Sequence, residues 1–295
     1  MKQPVFLFLI LTTTLVSGLN FPIGKMGLAF STPFLLLAVR FIAAGLIMLP
    51  FVARRPHPQT GREWLRIAVI GLFQSALVLG GIYLSLQTIE AGTSSILSST
   101  NPIWSIVFGA LLFGFRYSLL QWLGVLIGFA GVIVTQGFQF QWKYGILFAL
   151  LAGMAWGLAT LLTGRWGKQL DVWVMTAYQM LCGGVILLIA SFFLEHPRME
   201  FHVGTLAQEV FVLAWLIVMS SIVQFLTWFY VLQHYPPEKA SAYLFLVPLF
   251  GVLSSCLLLG EPIHWYVAAG AACIGLGIYL VNKPKSITAL SKSPG

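Results

Sequence analysis

The sequence predicts an all-α integral membrane protein of about ten transmembrane helices, arranged as two inverted five-helix repeats. Composition, the spacing of apolar runs and a self-similarity between the two halves carry that prediction. Of 295 residues, 59% are hydrophobic and 8% charged, whereas roughly a quarter of a soluble domain is charged because its surface faces water. The outer surface of this chain must therefore face lipid. Apolar runs close to the ~20 residues that cross a bilayer recur along the whole length. Without water to satisfy a free backbone these runs must be helices, since a barrel would show short alternating strands.

Taken in order, breaks at Pro, Gly and charged clusters place spans near 4–24, 32–53, 65–87, 92–113, 118–137, 143–164, 172–194, 209–232, 239–259 and 263–282. The first carries a polar stripe, Thr13, Ser17 and Asn20, at helical spacing. Lys2 and the apolar stretch after it resemble a secretory leader, but no clear small-residue cleavage site follows Gly18 and the segment has a counterpart deeper in the chain. Arg40 is the one basic residue well inside a span, the second. The fourth carries Ser94, Ser98 and Asn101 and then Pro102, which removes a backbone donor and frees a carbonyl. Gly124 with Gly128, in the fifth span, and Gly153 with Gly157, in the sixth, have the GxxxG spacing that lets helices approach closely. Trp122, Trp142 and Trp265 near span ends suit interfacial anchoring.

The basic residues set the orientation. With a cytoplasmic N-terminus the inner side collects Lys2, Arg54, Arg55, Arg62, Arg66, Arg116, Arg165, Lys168, Lys239, Lys283, Lys285 and Lys292, and the outer side only Lys25, Lys143 and Arg198. This positive-inside bias predicts both termini in the cytoplasm of a multi-pass cell-membrane protein. It also explains the net charge of +8 by topology and lipid headgroups, so no nucleic-acid partner is expected.

A constant offset of 146 residues pairs Gln87 with Gln233, Ser95 with Ser241, Pro102 with Pro248, Gly114 with Gly260, Gly124 with Gly270 and Gly131 with Gly277. Earlier in the chain an offset of 139 pairs Gly18 with Gly157, Ala38 with Ala177 and Gly45 with Gly184. The expected units are residues 1–138, 139–283 and a tail, 284–295. A unit of five spans enters on one side and leaves on the other, so its repeat sits upside down, an arrangement that recurs in transporters that open alternately to the two sides.

With these features the chain resembles the EamA-type permeases of the drug/metabolite transporter superfamily. The resemblance rests on Gly18-Leu-Asn-Phe-Pro-Ile-Gly-Lys25, Arg40-Phe41, Pro237-Glu-Lys-Ala-Ser-Ala-Tyr-Leu-Phe-Leu-Val-Pro248 and Leu257-Leu-Leu-Gly-Glu-Pro262. The first half departs from the pattern, with Gly114-Phe115-Arg116 where such proteins usually show Gly-Glu. The resemblance implies a ten-helix fold, a central solute cavity and secondary transport, often efflux of amino acids or other metabolites.

Polar side chains in lipid are costly unless they face the protein interior, so they mark candidate solute-binding positions. Asn20, Arg40, Tyr83, Ser98, Asn101, Trp104, Trp156, Thr160, Gln224, Trp228 and Tyr243 are the set. Ser and Thr in membrane helices also bond their own backbone, which is the competing role for Ser98 and Thr160. For Arg40 two roles stand side by side: a carboxylate-binding fork or gate, and a tie to free carbonyls near a helix break.

No Walker A motif, dinucleotide fingerprint or HExxH occurs, against ATP-driven transport within this chain and against familiar metalloprotease chemistry, and no enzymatic activity is expected. Cys182, Cys256 and Cys273 lie in apolar segments without metal-ligand spacing, so neither a cofactor nor a metal is expected. Glu90, Glu209 and Glu261 fall at span ends, so none is an obvious mid-membrane proton carrier. An intramembrane lipid enzyme and a receptor or scaffold are the alternatives. The first lacks a convincing catalytic set and the second a soluble signalling segment. The expected partners are a small-molecule solute and the lipid bilayer, with a homodimer left open.

Overall fold

The computed structural model describes residues 3–134, 143–234 and 243–282. Trp142, Lys2, Lys239, Lys283, Lys285, Lys292, the tail and the part of the ninth-span motif before Tyr243 lie outside the described residues. Within them the chain forms α1 (Gln3–Gly27), α2 (Pro33–Val52), α3 (Gly61–Leu86), α4 (Ala91–Leu112), α5 (Leu119–Val134), α6 (Tyr144–Trp166), α7 (Val172–Leu194), α8 (Leu206–Val231), α9 (Leu246–Leu259) and α10 (Trp265–Asn282). Seven are long and apolar enough to cross a membrane by themselves, and α5, α9 and α10 are shorter apolar helices. Their outward faces are hydrocarbon: Phe193 and Leu257 are each 83% exposed.

Local chemistry sets the ends. α3 begins four residues before the predicted span because Thr60 accepts from the Glu63 amide while Glu63 reaches back to the Thr60 amide, a reciprocal cap. Asp171 caps α7 through the amides of Trp173 and Val174. Three departures from regular helix were not expected. α4 is not continuous, since Ser99 and Thr100 leave the helix between Ala91–Ser98 and Asn101–Phe113. Pro102 has no amide hydrogen to give the Ser98 carbonyl, and the Thr100 hydroxyl turns back to donate to the Leu97 carbonyl at 2.7 Å. α3 and α8 each widen into a π-helical turn, over Gly71–Leu77 and Val218–Val223.

The helices pack as two matched sets. α2 lies along α7 and α5 along α10, while α1 packs on α9 as α6 packs on α4, and α1 on α8 as α6 on α3. The matching extends to single residues. A Cβ on Gly18 would stand 2.5 Å from the Phe250 Cβ, and one on Gly157 would stand 2.8 Å from the Trp104 Cβ, Trp104 being the counterpart of Phe250. At the α5–α10 contact a Cβ on Gly277 would lie 2.6 Å from the Gly124 carbonyl oxygen, so the helix backbones touch there. Gly114 and Gly260 end α4 and α9 with the same φ of 66°, a left-handed conformation that favours glycine.

Candidate functional site

Arg40 organises the interior. Its side chain is fully buried among α1, α2, α3 and α8. A buried cation requires compensation for lost hydration, and here neutral acceptors supply it. Nε donates to Ser221 Oγ at 2.7 Å; one Nη donates to Asn20 Oδ1 at 2.7 Å and to the Tyr83 hydroxyl at 3.1 Å; the other Nη donates to the Ser220 carbonyl. That carbonyl sits in the widened turn of α8, where i→i−4 pairing is interrupted. The Ser221 hydroxyl in turn donates to the Leu216 carbonyl at 2.9 Å. Four of five guanidinium N–H groups are thus engaged within the protein, and the planar fork is oriented by it.

The symmetry-related contact is Ser75 Oγ to Gln179 Oε1 at 2.8 Å, joining the widened turn of α3 to α7. Arg40 corresponds to Gln179 and Ser221 to Ser75, so both halves tie a middle-helix polar residue to a widened turn. The α3–α7 version is close: a Cβ on Gly71 would meet the Gln179 carbonyl oxygen at 2.5 Å, and one on Gly183 would meet Ser75 Cβ at 2.5 Å. The α2–α8 counterparts of those glycines are Ala44 and Ile217, bulkier residues at the join that the longer Arg40 spans.

The network gathers Asn20, Arg40 and Tyr83 and adds Ser220 and Ser221. One turn further along α1 and α8, Gln224 Nε2 donates to Ser17 Oγ at 2.7 Å. Thr13 Oγ1, Ser220 Oγ and Gln224 Oε1 along this α1–α8 seam are buried oxygens without a partner among the described residues. Trp228 and Tyr243 close one end of the seam beside Phe6, Ile10 and Val231, Tyr243 standing edge-on to Phe6 at 5.6 Å.

The remaining predicted residues sit on α4 and α6. Ser98 donates to the Ser94 carbonyl at 2.8 Å and Thr160 to the Trp156 carbonyl at 2.9 Å, so both hydroxyls serve their own helix. Trp156 is half-buried against the main core. Asn101 is 3% exposed. Trp104 stacks on Phe108 and meets Phe129 edge-on at 5.1 Å, with its Nε1 buried and without a partner among the described residues.

Sequence reasoning missed Ser220 and Ser221, because helical spacing gives no sign of a widened turn 180 residues away from Arg40. It also missed a polar cavity of about 380 Å³ where the α1–α2 connection meets the α7–α8 loop, lined by residues 28–32, Gln87, Arg198, Glu200 and His202. There Arg198 Nε donates to Glu200 Oε1 at 2.7 Å and holds that carboxyl below its ordinary range. No group of three or more His, Cys, Asp or Glu side chains that could hold a metal occurs among the described residues.

Ten apolar helices in two matched sets, sharing a buried polar seam, define a multi-pass membrane permease. The chain belongs to the EamA-like transporter family, which matches residues 5–136 and again 143–283. Similar proteins include the uncharacterized transporter YvbV of Bacillus subtilis, 28% identical over 90% of this chain and 87% of that one. The uncharacterized inner membrane transporter YedA of Escherichia coli K12 is 27% identical over 90% and 89%. A WAT1-related chloroplastic protein of Arabidopsis thaliana is 29% identical over 88% of this chain and 65% of that protein. A solved structure titled only as the crystal structure of a protein superposes with a TM-score of 0.67 at 18% identity, covering 95% of this chain and 96% of that one, and shares the fold. The protein is therefore a transporter, not an enzyme.

Proposed function

We propose that this permease is a secondary transporter, working as an exporter, that carries a small polar or amphipathic metabolite such as an amino acid by alternating access between its two halves. The observation that carries this reading is the α1–α8 seam, where Thr13, Ser220 and Gln224 present buried oxygens without partners among the described residues. Buried oxygens are normally hydrogen-bonded, so donors of a passing solute, or its water, complete the set. The solute-facing groups are Asn101, Trp156, Gln224 and Trp228, with Asn20 held by Arg40. The protein sits in the cell membrane with both termini cytoplasmic, an orientation supported by the distribution of basic residues.

Arg40 acts in this reading through its field. With the fork already bonded, a unit charge about 8 Å away in an effective dielectric of about 20 still feels roughly 2 kcal/mol. A cation in the seam is repelled by that amount and a carboxylate attracted, which suits zwitterionic or anionic solutes. The test is flux in proteoliposomes containing the purified protein alone, screened over amino acids of each charge. Accelerated flux of neutral or acidic members supports the proposal, and no flux of any small solute in a folded preparation overturns it.

A further inference from the structure

The two halves turn alike after α4 and α9 but carry different chemistry at the turn. Glu261 N donates to the Ser255 carbonyl at 3.4 Å and Phe115 N to the Gly109 carbonyl at 3.0 Å, each just after a glycine at φ 66°. At the α9–α10 turn the residue so placed is a carboxylate. Glu261 Oε1 accepts from Lys25 Nζ at 2.7 Å and from the Ala91 amide at 2.9 Å, and Oε2 accepts from the Gly92 amide at 3.1 Å. Lys25 also donates to the Ile89 carbonyl at 3.2 Å. One side chain of the second half thereby holds two elements of the first, the end of α1 and the start of α4. The Glu261 side chain is only 12% exposed, which shields these contacts from water. At the opposite end of the bundle the counterparts of Glu261 and Lys25 are Phe115 and Gly164, which offer neither a carboxylate nor an ammonium group.

We propose that Glu261 and Lys25 form a one-sided latch that closes the outer end of the solute path, so that the resting transporter favours the state shut to the outside. The proposal rests on the alternating-access reading, in which matched halves separate at one end while meeting at the other. A pair of halves with identical closing contacts would have no built-in preference between the two states. Among the described residues the inner end is also joined across the halves, by Arg55 to Asp171 at 3.2 Å and Arg66 to Gln169 at 2.8 Å, but Asp171 caps its own helix. The outer closure adds to its ion pair a carboxylate cap on the other half, so opening outward breaks a cap that opening inward does not. Glu261 is a gating residue and touches no solute.

The test uses a variant with Cys182, Cys256 and Cys273 replaced by serine and a reporter, Asn101→Cys, on α4. Labelling by a membrane-impermeant anionic methanethiosulfonate is timed from each face of the membrane. Glu261→Gln is expected to raise the rate from outside at least tenfold, equivalent to about 1.4 kcal/mol. Lys25→Met keeps the cap on Ala91 and Gly92 and is expected to raise it by less. An unchanged outside rate in both variants, with the reporter still labelled from inside, overturns the latch. If Glu261→Gln does not accumulate, an unchanged rate in Lys25→Met is enough to overturn it. A reporter labelled from neither face in any background removes the cavity reading, and the latch with it.

Discussion

Replacing Arg40 with lysine separates a structural role from a ligand role. Lysine keeps the charge, but its ammonium ends about one bond short of the Nη atoms and carries three donors where the guanidinium uses four. At least one of Asn20 Oδ1, Tyr83 Oη, Ser221 Oγ and the Ser220 carbonyl is then left without its donor in a fully buried site. An orphaned buried acceptor costs about 1–3 kcal/mol, and one or two are expected. At roughly 2–4 °C per kcal/mol for a chain of this size, melting falls by about 2–24 °C. Ser75→Ala, which orphans one buried acceptor, Gln179 Oε1, at the symmetry-related contact, should cost about 1–3 kcal/mol and melt no lower than the lysine variant. Fluorescence-detected size-exclusion after a temperature series in detergent reads both. An Arg40→Lys protein that melts with the wild type would refute the four-bond account, and if it also bound solute more weakly, the guanidinium would be assigned to the ligand.

Thr205→Cys in the cysteine-free background should label from outside intact cells, and labelling only after permeabilisation would reverse the orientation. Alanine at Asn101, Trp156 or Gln224 should lower flux several-fold while leaving membrane insertion intact; normal flux in all three would show that the solute path lies elsewhere. Gly277→Ala puts a methyl group within 2.8 Å of the Gly128 backbone, so α5 and α10 must part at about 1–3 kcal/mol, and a melting temperature equal to the wild type would contradict that contact. Because the carboxylates lie at span ends, flux should persist without a pH gradient, which counterflow at matched pH can check.

The fold was legible because lipid imposes a simple rule, an apolar stretch of fixed length with its backbone bonded internally, and the sequence obeys it. Proline and glycine punctuation placed most ends within a few residues. Arg40 stood out for the same reason, since a charge at that depth demands an explanation. Its partners did not, because Asn20 is read from the stripe of its own helix and Ser221 from neither stripe nor spacing. A widened turn rotates the residues after it, and only the folded chain shows which carbonyl it releases. Glu261 was seen at a span end and judged by what it lacked, a mid-membrane position. Its reach to Ala91 and Gly92, 170 and 169 residues back, follows from the packing of the halves and not from any local pattern.

The α2–α7 and α5–α10 contacts have a consequence for the history of the molecule. In each, a helix meets its own counterpart, so a single ancestral half inserted in both orientations already presents these surfaces to itself. An antiparallel pair of identical chains is thus sufficient to make both contacts before any gene fusion. Fusion then frees each copy to change alone. Arginine on α2 against glutamine on α7, and glutamate against phenylalanine after the left-handed glycines, are differences that no homodimer of identical halves can hold.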